Sequence, residues 1–392
     1  MDTKELRVVV SSCATQCVGN ATWWMQPVLM HQLVATDGMS ETLAGLIITI
    51  EMLGLPLGSA LLNRVVSERS PMFGVALWGT LLAILGAVLA VFWEHHVPWL
   101  SLARLAVGVG TGAAFMASNR LAATTRVPES TFAKLGVANV AYGALLIGVL
   151  PHIGISMETG SFMLFVIALV LMLPIVLLTP RAAAHVEPGL CAAQSGSQAS
   201  ARREGSAARI VVIAAGSFAI SLCSATVWVF YWIVGEKAGM SSDAVGNAVT
   251  TAIFAGGLGS AIAVVIGGRF GRAVPACFGL VALVCAVLTL SSHPGPLGFR
   301  VATCLQLCAI YFLFPFLQAA AAVEDASGVG ASYVGSAFFT AGALAPLVGS
   351  LVVEYVGFSV VAAAITVVSL VLAATLLIME RREAAIGSRV TG

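Results

Sequence analysis

Charge is what this sequence has least of. Asp, Glu, Lys and Arg make up 9% of the 392 residues, against roughly 25% in an ordinary soluble protein. So few charges cannot cover a globule of this size, whose surface would carry large apolar patches. An excess of either sign is missing too. The 19 Lys and Arg are balanced by 18 Asp and Glu, which leaves no footprint for nucleic acid or an acidic partner. The low hydrophobicity that marks disorder is absent, since AVILMFWYC supply 59% of the chain. The 40 glycines follow no triplet period, which excludes collagen. The eight cysteines show neither paired CxxC spacing nor a secreted framework. Free thiols and no metal site are expected.

What is present is long apolar runs. A helix crossing the hydrocarbon needs about 20 mostly apolar residues. Charge-free stretches at 8–36, 70–93, 135–157, 159–180, 210–235, 244–268, 273–299, 301–323, 326–353 and 355–379 qualify. Two further stretches each hold a single charge, 42–63 with Glu51 and 99–119 with Arg104. A β-barrel would show strands of alternating polarity about 10 residues long, and these runs do not alternate. The expectation is an all-α membrane protein with twelve transmembrane helices. The first run opens the series and reads as a span, not as a cleaved signal. The positive-inside rule sets the orientation. With the N terminus in the cytoplasm, only Lys237 and Arg300 fall outside and Arg104 within a span, while every other Lys and Arg falls inside. Both termini are then cytoplasmic in a bacterial inner membrane.

The longest polar stretch, 181–209, is rich in Ala, Ser, Gly and Gln and reads as a flexible linker. It separates a six-helix bundle at 1–180 from a second at 210–392. The halves repeat weakly. Ala21-Thr22-Trp23-Trp24 is echoed by Ala225-Thr226-Val227-Trp228, Gly143-Ala144-Leu145 by Gly342-Ala343-Leu344, and Asn63-Arg64 by Gly268-Arg269. A steady offset at several places points to a duplicated unit.

With these residues the chain resembles the major facilitator superfamily over nearly its whole length. The resemblance rests on the 6+6 layout and on two motifs. Ser59-Ala60-Leu61-Leu62-Asn63-Arg64 and Gly268-Arg269-Phe270-Gly271-Arg272 look like degraded copies of the G-x-L-x-D-R-x-G-R loop. Leu100 to Gly112, with Arg104, Gly108, Gly110 and Gly112, is similar to L-x-x-x-R-x-x-Q-G-x-G, with Val107 at the usual Gln. The resemblance implies two pseudo-symmetric six-helix bundles, transport by alternating access, and a conformational role for Asn63, Arg64, Gly268, Arg269, Gly271 and Arg272. The acid of that loop, which latches the halves in the family, is Asn63 in one copy and Gly268 in the other. The G-x-x-x-G-P-x-x-G-G pattern of many drug antiporters is absent from span five.

Helical spacing places Cys13, Cys17, Asn20, Trp24 and Pro27 on one stripe with Gln16 beside it. Span four gives Arg104, Gly108, Thr111, Phe115 and Ser118. Spans seven and ten give stripes that contain Trp228 and Tyr231, and Tyr311 and Gln318. In the superfamily the equivalent helices line the central cavity. The candidate substrate contacts are therefore Gln16, Asn20, Trp24, Phe115, Trp228, Tyr231, Tyr311 and Gln318, and helix packing is the competing reading for such stripes.

Glu51 and Arg104 are the two charges within spans. Each costs roughly 2.5–3.5 kcal/mol at a helix centre. At 1.5 Å per residue they lie about 14 Å and 8 Å from the outer ends of their spans, close enough to pair if the helices are neighbours. Three readings stay open: a proton-coupling pair, a static ion pair, and a site where Arg104 takes an anionic group. The resemblance adds that the span-four Arg is linked to proton transfer.

The chain thus reads as a monomeric secondary transporter for a small organic solute, favoured as an amphipathic or aromatic organic anion, with protons as the coupling ion. A proton gradient is the expected motive force, since no GxxxxGK[ST] motif is present to use ATP; no cofactor and no enzyme activity are expected. An efflux pump is the nearest alternative. A membrane sensor or scaffold that transports nothing is an alternative of another class.

Overall fold

A computed structural model describes residues 3–66, 72–123, 125, 128–149, 157–181, 206–266, 269–292, 294–324 and 329–390. The chain forms two compact units, Met1–Gly189 and Leu190–Gly392. Most of the expected linker 181–209 lies outside the described residues.

The first unit holds α1 (Thr3–His31), a π-helical turn (Gln32–Thr36), α2 (Glu41–Val65), α3 (Met72–Phe92), α4 (Val97–Ala123), α5 (Pro128–Val149) and α6 (Met157–Val176). The second holds α7 (Ser206–Val229), α8 (Tyr231–Lys237), α9 (Ser242–Ile266), α10 (Ala273–Ser291), α11 (Pro296–Glu324), α12 (Val329–Tyr355) and α13 (Phe358–Val390). The fold is all-α. Nine of the described helices are long and apolar enough to cross a membrane. Helix α1 is not among them, because polar residues interrupt it, and Ser11, Ser12, Thr15, Thr22 and Gln26 are all buried inside the unit.

Helix ends follow local chemistry. Ser40 is extended, and its hydroxyl accepts the Leu43 N–H at the start of α2, satisfying one of the orphan donors of a first turn. Pro128 and Pro296 occupy first helical positions, where the missing N–H costs nothing. Gly357 closes α12 at φ 100° and donates its N–H to Val352 O, a left-handed cap that suits glycine.

Two expectations shift. The fifth span begins at Pro128 and not at 135, because Glu129, Ser130 and Thr131 form its first turn instead of a loop. The seventh span is broken at Phe230 into α7 and α8.

The same internal partners recur in both units. In the first, α4 packs on α1, α2 and α3, α1 packs on α5 and α6, and α3 packs on α6. In the second, α11 packs on α7, α9 and α10, α7 packs on α12 and α13, and α10 packs on α13. This is the duplicated six-helix arrangement. Large apolar side chains face outward, among them Trp78 and Phe92 of α3 and Phe278 of α10, each more than 70% exposed. Buried polarity with exposed apolar surface is what a lipid solvent demands.

Glycine sets the tightest approach. Gly54 and Gly58 of α2 meet Leu105, Gly108 and Val109 of α4. A methyl group on Gly108 would collide with Glu51 O, and one on Gly112 with Leu55 O. Small residues let backbones approach this closely and stand in for hydrophobic drive inside a bilayer. Ser59 Oγ adds a hydrogen bond to Gly112 O at 2.8 Å. Crossing α9 and α11 uses the same device, with Gly259 against Cys308 O.

Candidate functional site

The α2–α4 crossing brings Glu51 and Arg104 together. They form an ion pair in which both side chains are at most 2% exposed. Thr22 of α1 stands beside the Glu51 carboxylate. The Arg104 guanidinium also lies over two rings of α6, 5.0 Å from the Phe165 centroid and 5.6 Å from that of Phe162. Four helices therefore converge on one buried charge pair. Each ion alone would be strongly penalised there. Together, with the aromatic faces supporting the cation, they are tolerated.

The remaining candidates divide by exposure. Gln16, Asn20, Phe115, Tyr311 and Gln318 are half-buried. Asn20 donates to Gln16 O at 3.1 Å, and Phe115 lies against Gly19 of α1. Tyr311 lies against Gly256 of α9, and Gln318 faces Gly335 of α12. Trp24, Trp228 and Tyr231 are instead buried within their own units. Trp24 Nε1 donates to Asn139 Oδ1 of α5 at 3.0 Å, and Gly143 makes room for its indole. Tyr231 packs edge-on to Trp228 and Phe299. Its hydroxyl donates to Gln306 Oε1 at 2.8 Å, and the Gln306 amide donates on to Ser224 O at 2.8 Å. That network ties α8 and α7 to α11.

Of the loop residues, Gly271 has φ 72°, a left-handed conformation that suits glycine. A Cβ there would strike the Glu380 carboxylate of α13. Arg272 donates its backbone N–H to Glu380 Oε1 at 3.0 Å. Arg269 is exposed in the same turn. Gly268 and the side chains of Asn63 and Arg64 lie outside the described residues. The end of α2 is held by Arg120 of α4, which donates to Val66 O at 3.3 Å.

Thr22, Gln26, Asn139, Gln306 and Glu380 were not singled out from sequence. The first four carry no charge, so a search for charges inside apolar runs passes over them. A search for buried amides would have found Gln26 and Gln306. Among the described residues no cluster of three His, Cys, Asp or Glu could hold a metal, and all described cysteines are free.

No family model and no curated protein matches the chain in sequence. Solved structures match its backbone closely. A nucleoside transporter, NupG, superposes with a TM-score of 0.72 at 13% identity, covering 96% of this chain and 99% of that one. The fold is that of the major facilitator superfamily. A D-xylose-proton symporter superposes at 0.71 with 15% identity, covering 94% of this chain and 96% of that one. A peptide transporter, POT, in complex with sulfate superposes at 0.71 with 13% identity, covering 97% and 95%. Each of these three similar chains spans this one almost end to end, so the superfamily fold accounts for both units and not for one alone.

Proposed function

We propose that this chain is a proton-coupled secondary transporter that moves a small organic solute across a bacterial inner membrane by alternating access, as a monomer with cytoplasmic termini. The observation that carries the reading is the buried Glu51–Arg104 pair at the convergence of α1, α2, α4 and α6. A charge pair with no contact to solvent is costly where apolar packing would serve, which favours a role beyond adhesion. The names of the similar structures, which include a proton symporter, support transport as the activity. The Lys and Arg asymmetry of the loops supports the orientation.

The half-buried Gln16, Asn20, Phe115, Tyr311 and Gln318 supply amide groups and ring faces suited to an amphipathic or aromatic solute. Trp24 in the first unit and Trp228 and Tyr231 in the second are buried within their own units. Protonation of Glu51 removes the counter-charge from Arg104, and a solute anion is the natural replacement, so the organic-anion class follows from the coupling reading. One proton moving through about 100 mV contributes roughly 2.3 kcal/mol, enough for a near fifty-fold gradient at about 1.4 kcal/mol per decade. The loop Arg269–Gly271–Arg272, clasped by Glu380, and the Asn63–Arg64 end of α2 are assigned to conformational control.

The test has two steps. A thermal-shift screen of the purified protein against a solute panel finds a binder, which raises the melting temperature by mass action. That binder is then followed in proteoliposomes with an internal pH dye. Wild type is expected to carry solute and protons together, and Glu51→Gln to bind solute while losing the proton flux. Proton-driven accumulation by Glu51→Gln with an unchanged pH profile overturns the reading. Accumulation or exclusion of the solute by energised cells separates uptake from efflux.

A further inference from the structure

One buried amide in the first unit is unused by everything described above. Gln26 lies one helical turn beyond Thr22 on α1, with 0% of its surface exposed. Among the described residues neither its Oε1 nor its Nε2 has a hydrogen-bonding partner on the protein. An amide stranded in this way is expensive to bury, and native interiors avoid it. Residues four apart on a helix have Cβ atoms about 5–6 Å from each other, so the Gln26 amide reaches the space beside the Thr22 hydroxyl. Thr22 in turn stands beside the Glu51 carboxylate. Thr22 shares a side-chain hydrogen bond with Glu51, and the buried Thr22 Oγ1 and Glu51 Oε1 keep lone pairs free to accept another.

These groups define the occupant. They offer an N–H donor, an amide acceptor, a hydroxyl oxygen that still accepts, and a carboxylate oxygen. A cation is disfavoured by the Arg104 guanidinium at the same carboxylate, and an anion by the carboxylate itself. A neutral molecule that both donates and accepts fits. Full burial restricts it to the size of a solvent molecule, and a buried water needs two to four polar partners, which are present. We propose that Gln26 and Thr22 hold an ordered water against Glu51, and that the buried pair exchanges its proton through this water. The role in exchange rests on the coupling reading, but the existence of the site does not. Gln26 acts here as a positioning residue.

The closing experiment is a stability cycle on the full-length protein. Gln26→Met replaces the amide by an apolar chain of similar size. If Gln26 is a dry orphan, that change raises the melting temperature. If it holds a water tied to Glu51, the melting temperature falls by about 2 °C or more, and the fall disappears in a Glu51→Leu, Arg104→Leu background. A rise, or an equal fall in both backgrounds, overturns the site. Should Gln26→Met not fold, density in a high-resolution experimental structure of the wild type decides: a peak between Gln26 and Glu51 supports the site, and a dry contact overturns it. In proteoliposomes Gln26→Met is expected to slow proton flux and shift its pH profile, and Gln26→Asn to restore part of both. Loss of the coupling reading through Glu51→Gln leaves the stability cycle untouched, so the two failures are distinguishable.

Discussion

Removing one member of the buried pair is expected to be far worse than removing both. In Glu51→Gln the carboxylate becomes an amide and Arg104 keeps its charge beside the Phe162 and Phe165 rings. At about 4 Å between charge centres and an effective dielectric near 20, the lost attraction is roughly 4 kcal/mol. The cation–π contact is present before and after the change and so offsets nothing, while the amide oxygen recovers one hydrogen bond of about 1 kcal/mol. Broken buried pairs cost about 3–5 kcal/mol, in line with that sum. At roughly 2–4 °C per kcal/mol for a unit of this size, the melting temperature should fall by about 6–20 °C. Tryptophan-monitored thermal unfolding of purified protein in detergent reads this directly. Glu51→Leu combined with Arg104→Leu removes both ions and keeps the space filled, so its melting temperature should return to within about 4 °C of wild type or exceed it. The double variant should remain folded and carry no coupled protons. A single variant as stable as wild type would refute the burial argument, and a double variant no better than the single would refute the pairing.

Other outcomes follow from the same geometry. Gly108→Ala pushes a methyl group into the Glu51 carbonyl and is expected to lower folded yield in size-exclusion chromatography, whereas Gly136→Ala, with nothing within 4 Å, should be neutral or gain about 0.5–1 kcal/mol. Gln306→Leu leaves the Tyr231 hydroxyl with its long contact to Thr303 O at 3.4 Å in place of the 2.8 Å bond and is expected to cost about 1–3 kcal/mol, checked by thermal unfolding against Tyr231→Phe and the double variant, where the loss should shrink. Asp37, between the π-helical turn and α2, has its carboxyl raised to about 6 by burial first, then by Glu94, against an opposing effect of His95. A folded pKa above the unfolded one means the native state holds the extra proton. Stability from this group is therefore full below about 4 and is lost as pH rises through about 6. Asp37→Asn should flatten the melting temperature between those pH values, and an unchanged profile would show that Asp37 does not titrate there.

Much of the architecture was legible because a bilayer allows few solutions. Apolar runs near 20 residues long forced helices, and charge in only two of them drew attention to Glu51 and Arg104. Boundaries were less legible. Hydropathy sees the apolar core of a span and not its polar first turn, so the start of α5 at Pro128 was missed. The break at Phe230 has no proline or glycine to mark it; packing of Tyr231 and Trp232 against α11 and Ser242 overrides the helical run. Stripe reasoning grouped Trp24, Trp228 and Tyr231 with half-buried neighbours, because spacing reports a shared face and not what covers it. The acid missing from the loop motif was sought at its usual place in sequence, while in the structure Glu380 reaches that turn from more than a hundred residues away. Long-range partners of this kind leave no trace in local pattern.

The Glu51–Arg104 pair also constrains how the chain is made. Helix α2 leaves the ribosome before α4, so for a time its carboxyl has no basic neighbour. A lone acid at that depth costs about as much as several leucines return, and α4 carries the same burden with its guanidinium. Neither segment is comfortable in lipid until the other arrives. Membrane entry of α2, α3 and α4 as a group, with the tight glycine crossing closing behind them, becomes the economical order of biogenesis. A truncation that ends after α3 should be handed to quality-control proteases, while one that includes α4 survives.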